Sequence, residues 1–347
     1  IEELKKMTEQ ELNKRVNYLA TPLTELDKFG SHPKNMLIEV TNSCNANCIF
    51  CANSKSNRKR ENIDETFVDR ILKEGYDLGL REVGFYTTGE PLLNKKLPLF
   101  VKSAKEIGYS YTYITTNGIL ATIQNLEPII TNGIDSIKFS INSINEKDYL
   151  LIHGVDKFDV VMNNLKALFK YRKEHELKFK IFVSYIATKY TEYDNDLIKK
   201  CFIDYCDDVA IINVRNQSGM MPEINEYLLC ENISNKIKGS RNLPCNYPFK
   251  TICITKEGYL TGCCTDFNNY LAVADLNNMS LEDAWQSEKY VDFRERHIKK
   301  SIEGTLCENC IYGVKTMPTP LDETLFTKMN EQVFTNDSKV KTRLKRN

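Results

Sequence analysis

Cys44-Asn45-Ala46-Asn47-Cys48-Ile49-Phe50-Cys51 decides how the rest of the chain is read. Its three cysteines, spaced C-x3-C-x2-C, follow the apolar run Met36-Leu37-Ile38-Glu39-Val40-Thr41, which places them on a loop leaving the end of a strand. A four-iron four-sulfur cluster normally takes four cysteine ligands. Three from one loop leave one iron open to another molecule, and an open metal position signals chemistry rather than scaffolding. The plainer alternatives are a zinc site or three unrelated buried thiols.

With 347 residues the chain has room for one large domain and one small one. Its 41% hydrophobic and 27% charged content is that of an ordinary globular protein. Lys plus Arg equals Asp plus Glu at 47 each, so no overall field points to nucleic acid or to a membrane surface. The sequence has no apolar run of bilayer length and no signal-peptide order at its start. A cytoplasmic location follows as the expectation. In that reducing compartment, twelve cysteines clustered towards both ends read as metal ligands rather than as a disulfide framework.

Four segments are expected. Residues 1–35 form a charged helical extension around Glu2 to Tyr18, too short for a separate leader-binding domain. Residues 36–230 alternate strand and helix, the pattern of βα units around a parallel sheet. The predicted strands are Met36–Thr41, Val83–Thr88, Tyr111–Thr116, Ser136–Ile141, Phe179–Ile186 and Val209–Val214. The predicted helices are Asp64–Leu78, Leu97–Ile107, Ile123–Thr131, Val160–Glu174 and Asp194–Cys206. Residues 231–330 form a small cysteine-bearing domain, and 331–347 a basic, disordered tail.

In a βα barrel the site lies at the carboxyl ends of the strands. The second strand ends in Thr87-Thr88-Gly89-Glu90-Pro91, which alone would be a turn. The third ends in Thr115-Thr116-Asn117-Gly118, with polar side chains facing the same mouth and a glycine for a tight turn. The fourth ends in Ser140-Ile141-Asn142, whose two polar side chains share one face. Ser184 is a weaker candidate on the fifth. The run Lys55-Ser56-Asn57-Arg58-Lys59-Arg60 reads first as a solvated loop, and second as a docking strip for an acidic reductant or a phosphorylated substrate. Cys201, Cys206 and Cys230 read as structural thiols.

A second constellation begins at Cys245. Thr251-Ile252-Cys253-Ile254-Thr255, Lys256-Glu257-Gly258 and Tyr259-Leu260-Thr261-Gly262-Cys263 form a hairpin around a glycine turn. After Trp285 comes Cys307-Glu308-Asn309-Cys310. C-x17-C plus a distant C-x2-C supplies four thiolates, enough to enclose a complete second site, iron–sulfur or zinc.

C-x3-C-x-aromatic-C after a first strand resembles the signature of the radical S-adenosylmethionine (radical SAM) superfamily. The resemblance implies an α/β fold, a partial (β/α)6 barrel. It implies a four-iron four-sulfur cluster on Cys44, Cys48 and Cys51, with S-adenosylmethionine on the open iron and Phe50 beside its adenine. By the same resemblance Gly89, Glu90 and Pro91 stand for the segment that meets the methionyl ammonium, with Thr88 in place of the usual first glycine. Asn117 joins them at the mouth, and Ser140 and Asn142 bind ribose or carboxylate. The carboxyl-terminal segment is similar to the twitch domain, the shortened SPASM form. That implies one auxiliary four-iron four-sulfur cluster on Cys245, Cys263, Cys307 and Cys310, with Cys253 and Cys264 as rival ligands.

The two spacings are also similar to those of twitch-type cyclitol dehydrogenases, in which the auxiliary cluster accepts an electron as a carbinol becomes a ketone. Where those enzymes grip substrate with an acidic residue two positions after the hairpin cysteine, this chain has Thr265, with Asp266 next. The expected function is hydrogen abstraction from a sugar, cyclitol or nucleotide-linked sugar, ending in oxidation or in epimerisation with a thiol such as Cys264 or Cys253 as hydrogen donor. Flavodoxin or ferredoxin is the expected reductant, and neither nucleic acid nor membrane is an expected partner. Peptide modification, and a non-catalytic iron–sulfur or zinc protein, are the competing readings.

Overall fold

The computed structural model describes residues 33–221, 224 and 242–330. The helix expected over Glu2–Tyr18, Cys230, the boundary at 230/231 and the basic tail lie outside the described residues.

The barrel half runs β1 (Asn35–Ile38), α1 (Glu65–Asp77), β2 (Glu82–Gly84), α2 (Leu97–Ile107), β3 (Tyr111–Thr116), α3 (Ile123–Thr131), β4 (Ser136–Ser140), α4 (Glu146–His153), α5 (Phe158–Glu174), β5 (Lys180–Ala187), α6 (Asn195–Phe202) and β6 (Asp208–Asn213). The second half runs α7 (Tyr247–Lys250), β7 (Thr251–Ile254), β8 (Tyr259–Thr261), β9 (Ala272–Asp275), α8 (Leu281–Trp285), α9 (Glu288–Ile298), α10 (Leu306–Tyr312) and α11 (Glu323–Asn330). Local chemistry sets several ends. Asp64 caps α1 by accepting from Phe67 N at 2.9 Å, and Gly108 ends α2 in the left-handed region at φ 115°.

All six predicted barrel strands form, and α2 and α3 occupy their predicted ranges. The helix expected from Asp194 to Cys206 stops at Phe202 and tightens to a 3-10 turn, because Cys206 is already extended and leads into β6. Sequence reading missed α4 and β9.

The strands form one nine-stranded sheet in the order β6-β5-β4-β3-β2-β1-β7-β8-β9. Every pair from β6 to β7 is parallel, and β8 and β9 complete it antiparallel. The hairpin therefore continues the barrel sheet, with Leu37 of β1 in register with Gly84 on one side and Cys253 on the other. Strand alternation sorts the two faces. Met36, Val83, Ile114, Ile137, Ile181 and Ile252 join the helices in the main core, where each large apolar side chain contributes about 1.5–3 kcal/mol. Leu37, Tyr111, Tyr113 and Cys253 form a separate cluster on the opposite face.

Candidate functional site

The cysteine loop leaves β1 and is tied down on three sides. Asn53 Nδ2 donates to Asn42 O at 2.9 Å and to Thr88 O at 2.7 Å. Asn117 Nδ2 donates to Asn45 Oδ1 at 2.7 Å and lies 3.9 Å from Cys44 Sγ. The end of α4 closes the third side, with Asn47 N and Ile49 N donating to His153 O and Ile152 O, each at 2.9 Å. Gly89 is the tight point of the assembly: a Cβ there would stand 2.3 Å from Thr41 O and 2.6 Å from Ser43 O.

Cys44, Cys48 and Cys51 are half-buried on this loop. Burial raises the Cys44 thiol and pushes Cys51 up to about 11. Cys48 rises well above the ordinary range through burial and the neighbouring charges of Cys51 and Cys44. Three such thiols ionise together only against a cation, which is what a thiolate-bound metal provides.

Around the loop, Glu90 is buried under three donors. Oε1 accepts from Thr116 Oγ1 at 2.7 Å and Leu92 N at 3.1 Å, and Oε2 from Asn117 N at 2.7 Å. Burial outweighs them and pushes the carboxyl up to about 7. Oε2 keeps one acceptor position, and Glu90 fixes the ends of the second and third βα units beside the cysteine loop. Asn142 adopts φ 44° and is oriented by Ile186 N donating to its Oδ1 at 2.8 Å, which turns its Nδ2 towards Ser140 Oγ at 3.2 Å. Ser140 pairs in register with Ser184. Phe50 packs away from the main core with Ile152, Val214 and Phe267.

His153 was not anticipated. Its Nδ1 lies 3.3 Å from Cys48 Sγ, and its Nε2 faces Ile141 O at 3.3 Å and Asn142 Nδ2 at 3.4 Å. Burial lowers it to about 4, so the ring is neutral near pH 7, stacked on Tyr149 at 4.1 Å. A weak signal existed in the sequence: Asn145 at a helix start and His153-Gly154 at its end, the glycine in the left-handed region.

In the basic run after the loop Lys55, Lys59 and Arg60 are exposed, as a solvated loop has them, and Arg58 departs from that reading. Arg58 is 3% exposed and its guanidinium pairs with both Glu39, at the end of β1, and Glu257, in the β7–β8 turn. Glu39 also takes Thr88 Oγ1, and Lys256 N at 2.9 Å. Arg60 donates to Asn42 O and Asn53 O. Arg58 joins the cysteine loop to the hairpin because the buried Glu39 requires a cation and Glu257 shares it.

The second thiol site gathers Cys245, Cys263, Cys307 and Cys310 around one cavity, with Ser218, Gly262 and His297. Cys245 stands before α7, Cys263 follows β8, and the other two sit on α10. The Cys307 thiol is raised well above the ordinary range, first by burial and then by the charges of Cys245, Cys263 and Cys310. Among the described residues no three His, Cys, Asp or Glu side chains close to within reach of a single metal ion. The four thiols share one cavity, and four thiolates are the donor set of a four-iron cluster, one for each iron.

Cys253 and Cys264 do not line that cavity. They pack with Leu37, Tyr86, Tyr113 and Tyr247 on the other sheet face. Thr265 hydrogen-bonds Ser218 and lies 3.4 Å from Cys263 Sγ. Asp266 is 2% exposed and holds its own loop: Oδ1 accepts from Tyr270 N at 3.0 Å, and Oδ2 from Leu271 N at 2.7 Å and Thr261 Oγ1 at 2.9 Å. Burial pushes its carboxyl up to about 6.

Among the described residues no helix is long and apolar enough to cross a membrane.

Comparison with known proteins agrees with this division. The radical SAM superfamily profile matches residues 38–192, and the SPASM profile, an iron–sulfur cluster-binding domain, matches 245–311. The chain is 25% identical over 278 residues to the S-adenosyl-L-methionine-dependent 2-deoxy-scyllo-inosamine dehydrogenase of Niallia circulans, covering 79% of this chain and 90% of that one. It is 29% identical over 150 residues to the GTP 3′,8-cyclase of Chlorobaculum tepidum, covering 43% of this chain and only 45% of the relative. Among solved structures, BtrN in complex with AdoMet and 2-DOIA superposes with a TM-score of 0.53 at 20% identity, over 83% of this chain and 97% of that one. SuiB of Streptococcus suis bound to precursor peptide SuiA gives 0.58 at 17% identity, over 82% of this chain and 70% of that one. These likenesses show a shared fold. The chain thus carries a radical SAM domain match on the barrel and its cysteine loop and an iron–sulfur cluster-binding domain match on the second thiol site, with S-adenosylmethionine and iron–sulfur clusters as its cofactors.

Proposed function

We propose that the protein oxidises a carbinol carbon of a polar small molecule, a sugar or cyclitol, free or nucleotide-linked. When bound, the cluster on Cys44, Cys48 and Cys51 supplies the electron that cleaves S-adenosylmethionine to a hydrogen-abstracting 5′-deoxyadenosyl radical, and a second cluster on Cys245, Cys263, Cys307 and Cys310 supplies an acceptor for the electron released as the ketone forms. The observation that carries this reading is the second cavity itself, lined by four thiols and set apart from the cysteine loop. A site closed by four protein ligands fits electron transfer rather than substrate binding. The relative matched over most of its length is named a dehydrogenase of an aminocyclitol, which supports the same reaction class.

The chain's own residues divide the remaining work. Asn117 and His153 orient the cysteine loop, Glu90 supplies negative charge beside it, and Ser140 and Asn142 offer polar groups at the end of β4. Asp266 keeps the loop after Cys263 in shape. Flavodoxin or ferredoxin would deliver the first electron.

A specific observation favours epimerisation as a second reading. Cys264 is half-buried and, with Cys253, lies outside the four-thiol cavity, which leaves a thiol to return hydrogen to the opposite face of a substrate radical. Anaerobic turnover of candidate cyclitols and sugars, deuterated at one carbinol carbon, separates the outcomes. Oxidation predicts deuterium in 5′-deoxyadenosine and a ketone product. Epimerisation predicts solvent hydrogen at the same carbon, lost in Cys264→Ala or Cys253→Ala. Absence of 5′-deoxyadenosine with every such compound would overturn the small-molecule reading.

A further inference from the structure

The second cavity is lined by more than sulfur. Ser218, on the loop after β6, lies with its Oγ 3.1 Å from Cys263 Sγ. Thr265 reaches the same sulfur at 3.4 Å and hydrogen-bonds Ser218. Ser218 is held there at a conformational cost: Gln217 and Ser218 both occupy the left-handed region, at φ 50° and 54°. Non-glycine residues persist in that region only when their surroundings fix them. Here Asn216 Nδ2 bonds Asn309 O at 3.1 Å and Cys310 O at 3.2 Å, fastening the loop to α10.

His297 is the third group. It is fully buried on α9 and lines the cavity. Cys245 N donates to its Nδ1 at 3.3 Å, so Nδ1 carries no proton and the single proton of the neutral ring is on Nε2. That Nε2 is buried without a hydrogen-bond partner among the described residues. Phe293 fixes the ring edge-on at 4.8 Å. A buried donor without an acceptor is costly, and sulfur at the cavity wall would satisfy it.

We infer that His297 and one hydroxyl of the hydrogen-bonded Ser218–Thr265 pair donate hydrogen bonds to the sulfurs of a cluster held by Cys245, Cys263, Cys307 and Cys310, and so raise its reduction potential. The inference rests on the reading that these cysteines hold a cluster. A ligating thiolate has no proton of its own, and one hydroxyl of the pair spends its proton on the other, so the remaining hydroxyl is the donor to Cys263 Sγ. Reduction adds negative charge, and donors aimed at that charge stabilise the reduced form. These donors therefore bias the site towards accepting an electron, as substrate oxidation requires. Epimerisation returns a hydrogen atom and needs no such bias.

The test is the midpoint potential of the second cluster in the full-length, reconstituted protein, followed by electron paramagnetic resonance. Its signal is identified as the one that persists when Cys44, Cys48 and Cys51 are all Ala. His297→Phe and the pair Ser218→Ala/Thr265→Val are each predicted to lower the one-electron reduction equilibrium about tenfold, or about 59 mV. His297→Gln, which keeps an N–H, recovers most of the loss. Ser218→Ala alone has a smaller effect, since Thr265 can donate to the same sulfur. Unchanged potentials in both variants, with iron content preserved, would overturn the donor assignment and leave the cluster reading standing. Loss of all iron from the Cys44, Cys48 and Cys51 variant would remove the cluster reading, and the inference with it. If a variant does not fold, the wild type still decides: exchange into deuterated water shifts the iron–sulfur stretching bands of the second cluster if the donors are present, and their constancy counts against it.

Discussion

Glu90 shows how one buried residue links fold to cofactor. Its carboxyl is held near 7 by burial against an ordinary value of 4.5, so the folded, ligand-free protein prefers it protonated. The stability tied to it is complete below about 4.5 and is lost as pH rises through about 7. Asp266, raised to about 6, acts in the same direction. The ligand-free protein is therefore expected to melt at lower temperature at pH 8 than at pH 5, with a shallower dependence in Glu90→Gln. The same substitution removes a charge from the cofactor's surroundings and should raise the dissociation constant for S-adenosylmethionine about tenfold, measured by equilibrium dialysis. At Gly89 the constraint is steric. In Gly89→Ala a methyl group meets two backbone oxygens of the cysteine loop. The expected result is loss of the first cluster's iron with the second retained, read by metal analysis.

At the scale of elements, the decisive arrangement is β7 lying parallel against β1. The hairpin and the barrel thus share one sheet, clasped by Arg58 between Glu39 and Glu257. Arg58→Met leaves the buried Glu39 without its cation and is expected to cost about 3–5 kcal/mol in chemical denaturation. A chain ending at residue 221 would expose β1 as a bare parallel edge, and is predicted to be insoluble and to hold no cluster. A soluble, iron-loaded fragment would show that the barrel is independent of the hairpin. The strands of the barrel were legible because each is a short apolar run punctuated by a glycine or polar cluster. The helix α4 was not: it is only eight residues long with weak amphipathic patterning, and it directly follows the polar run Ser140-Ile141-Asn142-Ser143-Ile144-Asn145. His153 escaped notice for the same reason, since its place beside Cys48 is a contact across 105 residues that only the tertiary fold creates. Within the basic run the burial of Arg58 was not legible, because charge pattern alone does not reveal carboxylates 19 and 199 residues away from it.

The whole molecule separates two thiol sites along one sheet: three cysteines on a loop beside polar strand ends, and four around a buried cavity lined by hydroxyl and imidazole groups. Cysteine spacing pointed to both groups, because ligand number and hairpin geometry constrain spacing directly, and the fold brings the four of the second group around one cavity. Substrate-facing residues were less legible, since the position that suggested a substrate acid, Thr265 with Asp266, is turned towards the cavity and its own loop. The central claim is that these sites hold two distinct four-iron clusters. Iron, sulfide and zinc content after anaerobic preparation tests it, in the wild type and with Cys44, Cys48 and Cys51 all changed to Ala. The account predicts about eight irons per chain falling to about four. About four irons falling to none, or zinc in place of the second set, would contradict it.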